Sequence, residues 1–424
     1  MKATCGLPLP GPSRLTHFLG LATLACLLTA GPALALPKGT TSAEASAPAS
    51  PKKIAEAGAA EARLIEVYQL ISQSKGREAL NSAEKLVSDY PHFQLAQLVY
   101  GDLLAARIRP IQTLGDVPNN LSTSASPNLG ELRNESQMRL KALRERPPPG
   151  TVPSEFLSLS SQNKHAIAVD ASRSRLYLFE NRPTGLVLIA DYYISVGKSG
   201  TDKTIEGDLR TPLGVYFITS SLDPKALKDF YGSGALPINY PNVLDSKRGK
   251  TGHGIWLHGT PPGQFSRPPL SSEGCVVLTN PDLERIIQTV AIRTTPVVIS
   301  PRLNWVTVAQ ARATGKPFEE ALVSWKNAKS SGNMDRVLSF YSKDFSSNGK
   351  TLEQWTSALR TELNQTRGRS LQLKDLSLLR WRDSSDTMIV TFGEVADGTL
   401  TGPSKRQYWE RQGNQWKIFF EGVI

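Results

Sequence analysis

Cysteine is scarce in this chain, with three residues in 424, and histidine occurs only five times. No set of His, Cys and Asp has metal-ligand spacing, and so few thiols argue against a structural zinc site. The apolar run Phe18 to Ala30 is too short for a comfortable membrane span. Val196-Gly197-Lys198-Ser199 looks like the end of a phosphate-binding loop, but residue 192 is Tyr where that loop requires glycine. A turn between strands is expected there, and no cofactor is called for.

The first 35 residues read as a secretory signal. Lys2 and Arg14 supply a positive start, Phe18 to Ala30 the apolar stretch, and Ala33-Leu34-Ala35 small residues at a cleavage site. Thr23 stands where a lipoprotein signal at Cys26 wants leucine, so plain cleavage near Ala35 is the expectation. Cleavage removes Cys5 and Cys26 and leaves Cys275 as the one thiol of an exported chain. A solitary thiol in an oxidising compartment either pairs between molecules or is reactive. Core filling is the plain alternative, because free cysteine packs as a small hydrophobe. A formal charge of +11 suits an envelope surface or an anionic polymer, in the periplasm or cell envelope, better than nucleic acid.

The chain is long enough for about two or three domains after its leader. Residues 36–60, rich in Ala, Ser, Pro and Lys, read as a flexible linker. Residues 61–110 carry helical spacing: Leu64, Val67, Tyr68 and Ile71, then Ala79, Leu80, Ala83, Leu86 and Val87, then Leu95, Leu98, Val99, Leu103 and Leu104. One tetratricopeptide-like unit of this kind cannot bury its own faces, which predicts a docking or self-association segment for a protein partner. Residues 111–163 read as a linker around one helix, Leu129 to Arg146.

Residues 164–300 change to short strands separated by Gly and Pro, which predicts a mainly β domain. Pro281 to Val290 is its expected helix, with Asn280 as N-cap. Residues 301–316 read as a linker. Residues 317–424 show helices at Glu319–Ser330, Met334–Tyr341 and Leu352–Asn364, then four strands ending in a Gly413-Asn414 hairpin, an α+β pattern. The order and the residues resemble the nuclear-transport-factor-like (SnoaL-like) fold. That resemblance makes Trp325, Phe340, Tyr341, Phe345, Trp355, Trp409 and Trp416 mostly packing residues.

A thiolate attacks acyl carbons, and a nearby histidine both assists its formation and returns a proton. His258, in Trp256-Leu257-His258-Gly259-Thr260, precedes Cys275, in Ser271-Ser272-Glu273-Gly274-Cys275-Val276-Val277-Leu278. His253 and His258 read as one strand-like segment, and their odd offset predicts opposite faces. These segments resemble the L,D-transpeptidase, or YkuD-type, catalytic domain of bacterial cell-wall enzymes. So does the upstream turn Glu206-Gly207-Asp208-Leu209-Arg210-Thr211-Pro212-Leu213-Gly214.

The resemblance implies Cys275 as nucleophile and His258 as general base and then acid. It implies the Gly259 carbonyl as the group that orients the imidazole, and backbone N–H groups around Gly274 and Cys275 as oxyanion donors. The implied substrate is the peptidoglycan stem tetrapeptide, cut between the L-centre of diaminopimelate and D-Ala through a thioester. An amine acceptor makes this a transpeptidase. Water makes it an L,D-carboxypeptidase of the cell-shape kind, and a non-catalytic wall-binding scaffold is the third reading. Two positions depart from the usual signature: Glu273 replaces a histidine, and Val277 an Arg or Asn. Ser272, Glu273, Arg210, Trp256 and Tyr240 are the substrate-binding candidates, with Arg248 and Lys250 as further candidates for stem-peptide carboxylates.

Overall fold

The computed structural model describes residues 56–116, 122–366 and 369–424, all within one compact unit, Lys53–Ile424. The expected signal and nearly all of the expected linker 36–60 lie outside the described residues. Among those described, no helix is long and apolar enough to cross a membrane.

Three regions follow one another: helices, a β-rich domain and an α+β domain. The helical region holds Ala59–Ser72, Gly76–Asp89, Gln94–Ala105 and Ser122–Arg144. Its first helix starts inside the stretch read as linker. Leu64, Val67, Ala79, Ala83, Leu86, Leu95 and Val99 form its core. Ile71 and Leu104, expected on the apolar face, are exposed near their helix ends.

These helices bury their apolar side against the β-rich domain of the same chain. Phe265 from that domain enters their core, 4.4 Å from the Phe93 ring and 5.3 Å from that of Tyr90. A buried ion network joins the two regions. Arg175, on strand Arg175–Arg182, reaches Glu61 at 2.6 Å and Asp191 at 2.6 Å. Arg139 reaches Glu61 at 3.0 Å and Glu135 at 2.7 Å.

The β-rich domain is built on a six-stranded sheet in the order Glu56–Ala57, Gly185–Tyr193, Arg175–Arg182, His165–Asp170, Pro296–Ser300 and Gly214–Phe217. Alternation along His165–Asp170 serves two cores at once. Ile167 and Val169 face a core shared with Leu257, Val276, Leu283 and Ile286. Ala166 and Ala168 face Leu379, Trp381, Ile389, Tyr408 and Phe419 of the α+β domain. That second core makes the two domains one packed body.

The C-terminal sheet is likewise buried on both faces. Leu378, Met388, Val390, Trp409 and Ile418 pack on the helices with Phe318, Leu322 and Trp325. Its long strands, Leu371–Arg382, Asp386–Ala396, Ser404–Gln412 and Gln415–Val423, form an antiparallel meander.

Both expected linkers are corrected here. Within 111–163, Phe156–Ser158 adds a fifth strand to the C-terminal sheet, and Thr151–Pro153 pairs with Trp305–Thr307. Strands of three residues are too short to show a period. Within 301–316, a helix runs from Val308 to Ser330, opened by a Thr307–Gln310 capping box. Pro317, which reads as a boundary, sits inside that helix. The helix of the β-rich domain spans Asn280–Thr289, and Thr279 rather than Asn280 caps it.

Removing one member of a buried, hydrogen-bonded charge network strands its partners in low dielectric. Arg175→Ala is therefore expected to cost about 3–5 kcal/mol, measured by denaturant titration. A loss within about 1 kcal/mol, the range of an exposed pair, would show that the network does not hold the helices in place.

Candidate active site

The site is set by one short parallel pairing. Strand Trp256–His258 lies beside Val276–Val277, with Leu257 opposite Val276 and His258 opposite Val277. Cys275 stands directly before the second strand and His258 ends the first, so 16 intervening residues loop out and return. The Leu278 N–H closes the pairing on the His258 carbonyl at 2.9 Å. Cys275 and His258 line the same cavity of ≈ 300 Å3, together with Lys203, Phe230, Tyr231 and Arg267.

Three bonds shape the turn that carries Cys275. The Ser272 hydroxyl donates to the Cys275 carbonyl at 2.6 Å and accepts the Gly274 N–H at 3.1 Å. Thr211 donates its hydroxyl to the Gly274 carbonyl at 2.9 Å and accepts the Gly197 N–H at 2.9 Å. The Thr-Pro turn thus clamps the cysteine loop from below. Gly274 has φ +125, and a Cβ there would sit 2.8 Å from the Arg210 carbonyl oxygen, so only glycine fits. Its N–H is already taken by Ser272.

His258 is buried, with its Nδ1 2.7 Å from the Gly259 carbonyl oxygen. A carbonyl can only accept, so Nδ1 carries the proton and Nε2 keeps a free lone pair. The ring is flanked by Tyr231 at 5.1 Å and Phe230 at 5.9 Å. Asn280 fixes the following backbone: its Oδ1 accepts from Thr260 and Ser233, and its Nδ2 donates to the Thr260 carbonyl. A Cβ at Gly259 would overlap that Oδ1 at 2.0 Å.

Burial governs the electrostatics. Desolvation lowers the His258 pKa to about 4, further depressed by Arg267 and opposed by the bond to Gly259. Burial likewise pushes the Cys275 thiol up to about 11, against the Trp256 N–H and the Arg267 charge. The sulfur donates to the Gly254 carbonyl at 3.5 Å. Both shifts favour a neutral thiol and a neutral imidazole in the resting pair. Asp208, pushed up by burial, is nevertheless held at about 2 by Lys203 and by the N–H groups of Thr204, Arg210 and Ile205.

The other sequence candidates fall in two groups. Ser272 and Glu273 line the cavity, and Glu273 is exposed at its mouth. Arg210, Trp256 and Tyr240 do not line it. Arg210 is exposed and donates to the Thr201 carbonyl. The Trp256 ring packs on Tyr231 at 4.8 Å. Tyr240 is core, its ring edge-on to Tyr216 and its hydroxyl on the Thr251 carbonyl.

Arg248 pairs with Asp383, and Lys250 with Asp202, both outside the cavity lining. His253 is not on the His258 strand. Gly252 and Gly254, at φ +89 and +74, break the segment, and His253 stands exposed at the cavity mouth, 3.9 Å from Glu206. Sequence reasoning passed over Arg267, Phe230, Lys203 and Asn280. Only Asn280 carried a signal, as a cap candidate. Among the described residues no group of three or more His, Cys, Asp or Glu is placed to hold a metal.

Comparison with known proteins bears on this geometry. Residues 164–299 match the family model of the L,D-transpeptidase catalytic domain. Residues 318–422 match that of the Cds6 C-terminal NTF2-like domain. The structure of Bdellovibrio bacteriovorus Bd1075 is similar, with 24% identity and a TM-score of 0.56, covering 65% of this chain and 98% of that one. The helical cell shape determining protein Pgp2 from Campylobacter jejuni aligns at 24% identity and a TM-score of 0.52, covering 64% and 95%. At these identities the two structures show a shared fold. No curated protein sequence matches the chain significantly.

Thr211→Val removes the hydroxyl that serves both Gly197 and Gly274 and leaves two buried backbone groups unpaired. A stability loss of about 1–3 kcal/mol is expected, with faster hydrogen exchange at Gly274 and Cys275. Unchanged exchange there would show that another contact holds the cysteine loop.

Proposed function

We propose, from a chain whose residues 164–299 belong to the L,D-transpeptidase catalytic domain family, that it is a cysteine acyltransferase of peptidoglycan stem peptides. The observation that carries this reading is the shared cavity of Cys275 and His258, with Nδ1 tied to Gly259 and Nε2 open.

Acylation begins from the neutral pair. His258 Nε2 takes the thiol proton as the sulfur adds to the carbonyl of the L-centre of diaminopimelate, so little free thiolate is needed beforehand. With the Gly274 N–H taken by Ser272, the Cys275 N–H would be the backbone donor to the tetrahedral oxyanion. Collapse breaks the peptide C–N bond, and the imidazolium returns its proton to the departing D-Ala amine. The thioester then meets an amine of a second stem, which loses a proton to His258, forms a cross-link and frees the thiol. This substrate lies outside the cytoplasmic membrane, where the leader would deliver the chain.

A second reading is hydrolysis of the same thioester to a tripeptide, with water in place of the amine. Incubation with disaccharide-tetrapeptides separates the two: cross-linked dimers support transfer, and tripeptide monomers support hydrolysis. Cys275→Ala is expected to abolish either product. A wild-type protein that forms neither an acyl adduct nor a product would overturn the enzymatic reading and leave the wall-binding scaffold.

The pH profile follows from the site. The base must be unprotonated, and its folded pKa lies below the ordinary 6.5. Activity should therefore persist through mildly acidic pH and fall only as pH drops through about 4. Release of D-Ala measured across this range checks it. An acidic limb centred near 6.5 would show that His258 is solvated in the working enzyme.

A further inference from the structure

Arg267 lies between the histidine and cysteine segments and is 8% exposed. Four arginines are buried among the described residues. Arg139, Arg173 and Arg175 each meet carboxylates within 3.1 Å. Arg267 has no such partner. Its guanidinium lies 4.5 Å over the Phe230 ring and lines the cavity of Cys275 and His258. The groups in electrostatic reach are the Cys275 thiol, neutral at rest, and the carboxylate of Glu273, which is exposed to solvent. A guanidinium largely withdrawn from water with no carboxylate in salt-bridge contact is costly, and a bound anion would offset that cost.

The base of this side chain is fixed. Phe265, half-buried, packs against the helical core, and its N–H donates to the His92 carbonyl at 3.3 Å. Ser266 donates to Glu135 at 2.8 Å. The Tyr193 hydroxyl donates to the Arg267 carbonyl at 2.9 Å, and Arg139 stacks 3.9 Å over the Tyr193 ring. The N-terminal helices thereby set where this loop presents its cation. Val277, where the family signature carries Arg or Asn, is buried and paired with Ser195. The strand after the cysteine offers the cavity no charge.

We propose that Arg267 receives a carboxylate of the stem peptide beside the scissile bond, and that the N-terminal helices hold it in place. This rests on the acyl-transfer reading above. Two carboxylates flank that bond, one on the terminal D-Ala and one on the D-centre of diaminopimelate. Both offer the same bidentate chemistry to a guanidinium.

The test uses the full chain carrying Cys275→Ala, which cannot turn over. Calorimetry measures its binding of the stem tetrapeptide, of the peptide amidated at its C-terminus, and of the peptide amidated at the diaminopimelate D-centre. The free acid is expected to bind about 10- to 100-fold more tightly than one of the amides, and that amide identifies the carboxylate. Adding Arg267→Gln should erase the preference while leaving the melting temperature equal or higher, since an unpaired buried charge is removed. With Cys275 intact, Arg267→Gln should raise KM more than it lowers kcat.

An acid-to-amide ratio unchanged by Arg267→Gln, or acid and both amides bound alike by the parent, overturns the Arg267 assignment alone. A lowered melting temperature with an unchanged ratio shows a structural role. Peptide binding that depends on Arg267, with no product from wild type, overturns the acyl-transfer reading alone. No peptide binding overturns both.

Discussion

The parallel pairing of Trp256–His258 with Val276–Val277 is the constraint on which the rest of the site depends. Three residue pairs wide at most, it decides that the imidazole and the sulfur face one cavity. Such a short ladder cannot hold itself. Its support comes from Thr211, which bonds the cysteine loop, and from Asn280, which bonds the backbone after the histidine. Glycine at 259 and 274 is what allows both supports to approach so closely. The family signature can thus be read physically: each of its small or hydroxyl residues is a contact that brings two distant segments to the same place.

Burial gives that pairing its chemical character. His258 sits in a wall of aromatic rings, and the same desolvation that keeps it neutral keeps Cys275 a thiol. A resting thiolate–imidazolium pair is therefore disfavoured. Arg267 lines the same pocket, and its charge lowers both pKa values, secondary to desolvation. The cavity sets a neutral thiol and a neutral imidazole beside Arg267, which has no carboxylate in salt-bridge contact, a combination that suits the proposed carboxylate-bearing substrate.

The modules flanking the catalytic domain are not loosely tethered. The central sheet buries one face on its own small sheet and helix and the other on the C-terminal sheet. The N-terminal helices contact the loop between His258 and Cys275 through Phe265, and the Glu61–Arg175–Asp191 network joins them to the β-rich domain. A helical segment read as a docking element thus docks in part on its own chain, where it shapes the loop between base and nucleophile.

Residue types with unusual chemistry, at fixed distances along the chain, were legible in the sequence alone. A solitary Cys275, a His258 seventeen residues before it and the Thr211-Pro212 turn pointed to acyl chemistry, and alternating or helical periods located the three regions. Contacts without a period were not legible. Arg267 occupies a loop with no spacing signal. Phe156–Ser158 is too short to read as a strand and pairs with residues more than two hundred positions away. Pro317 hid a continuous helix. Tyr240, Trp256 and Arg210 had suitable chemistry but do not line the cavity. A sequence records which groups are available and their local periods. Which of them share a dry pocket depends on long-range pairing and burial, and only the tertiary structure decides that.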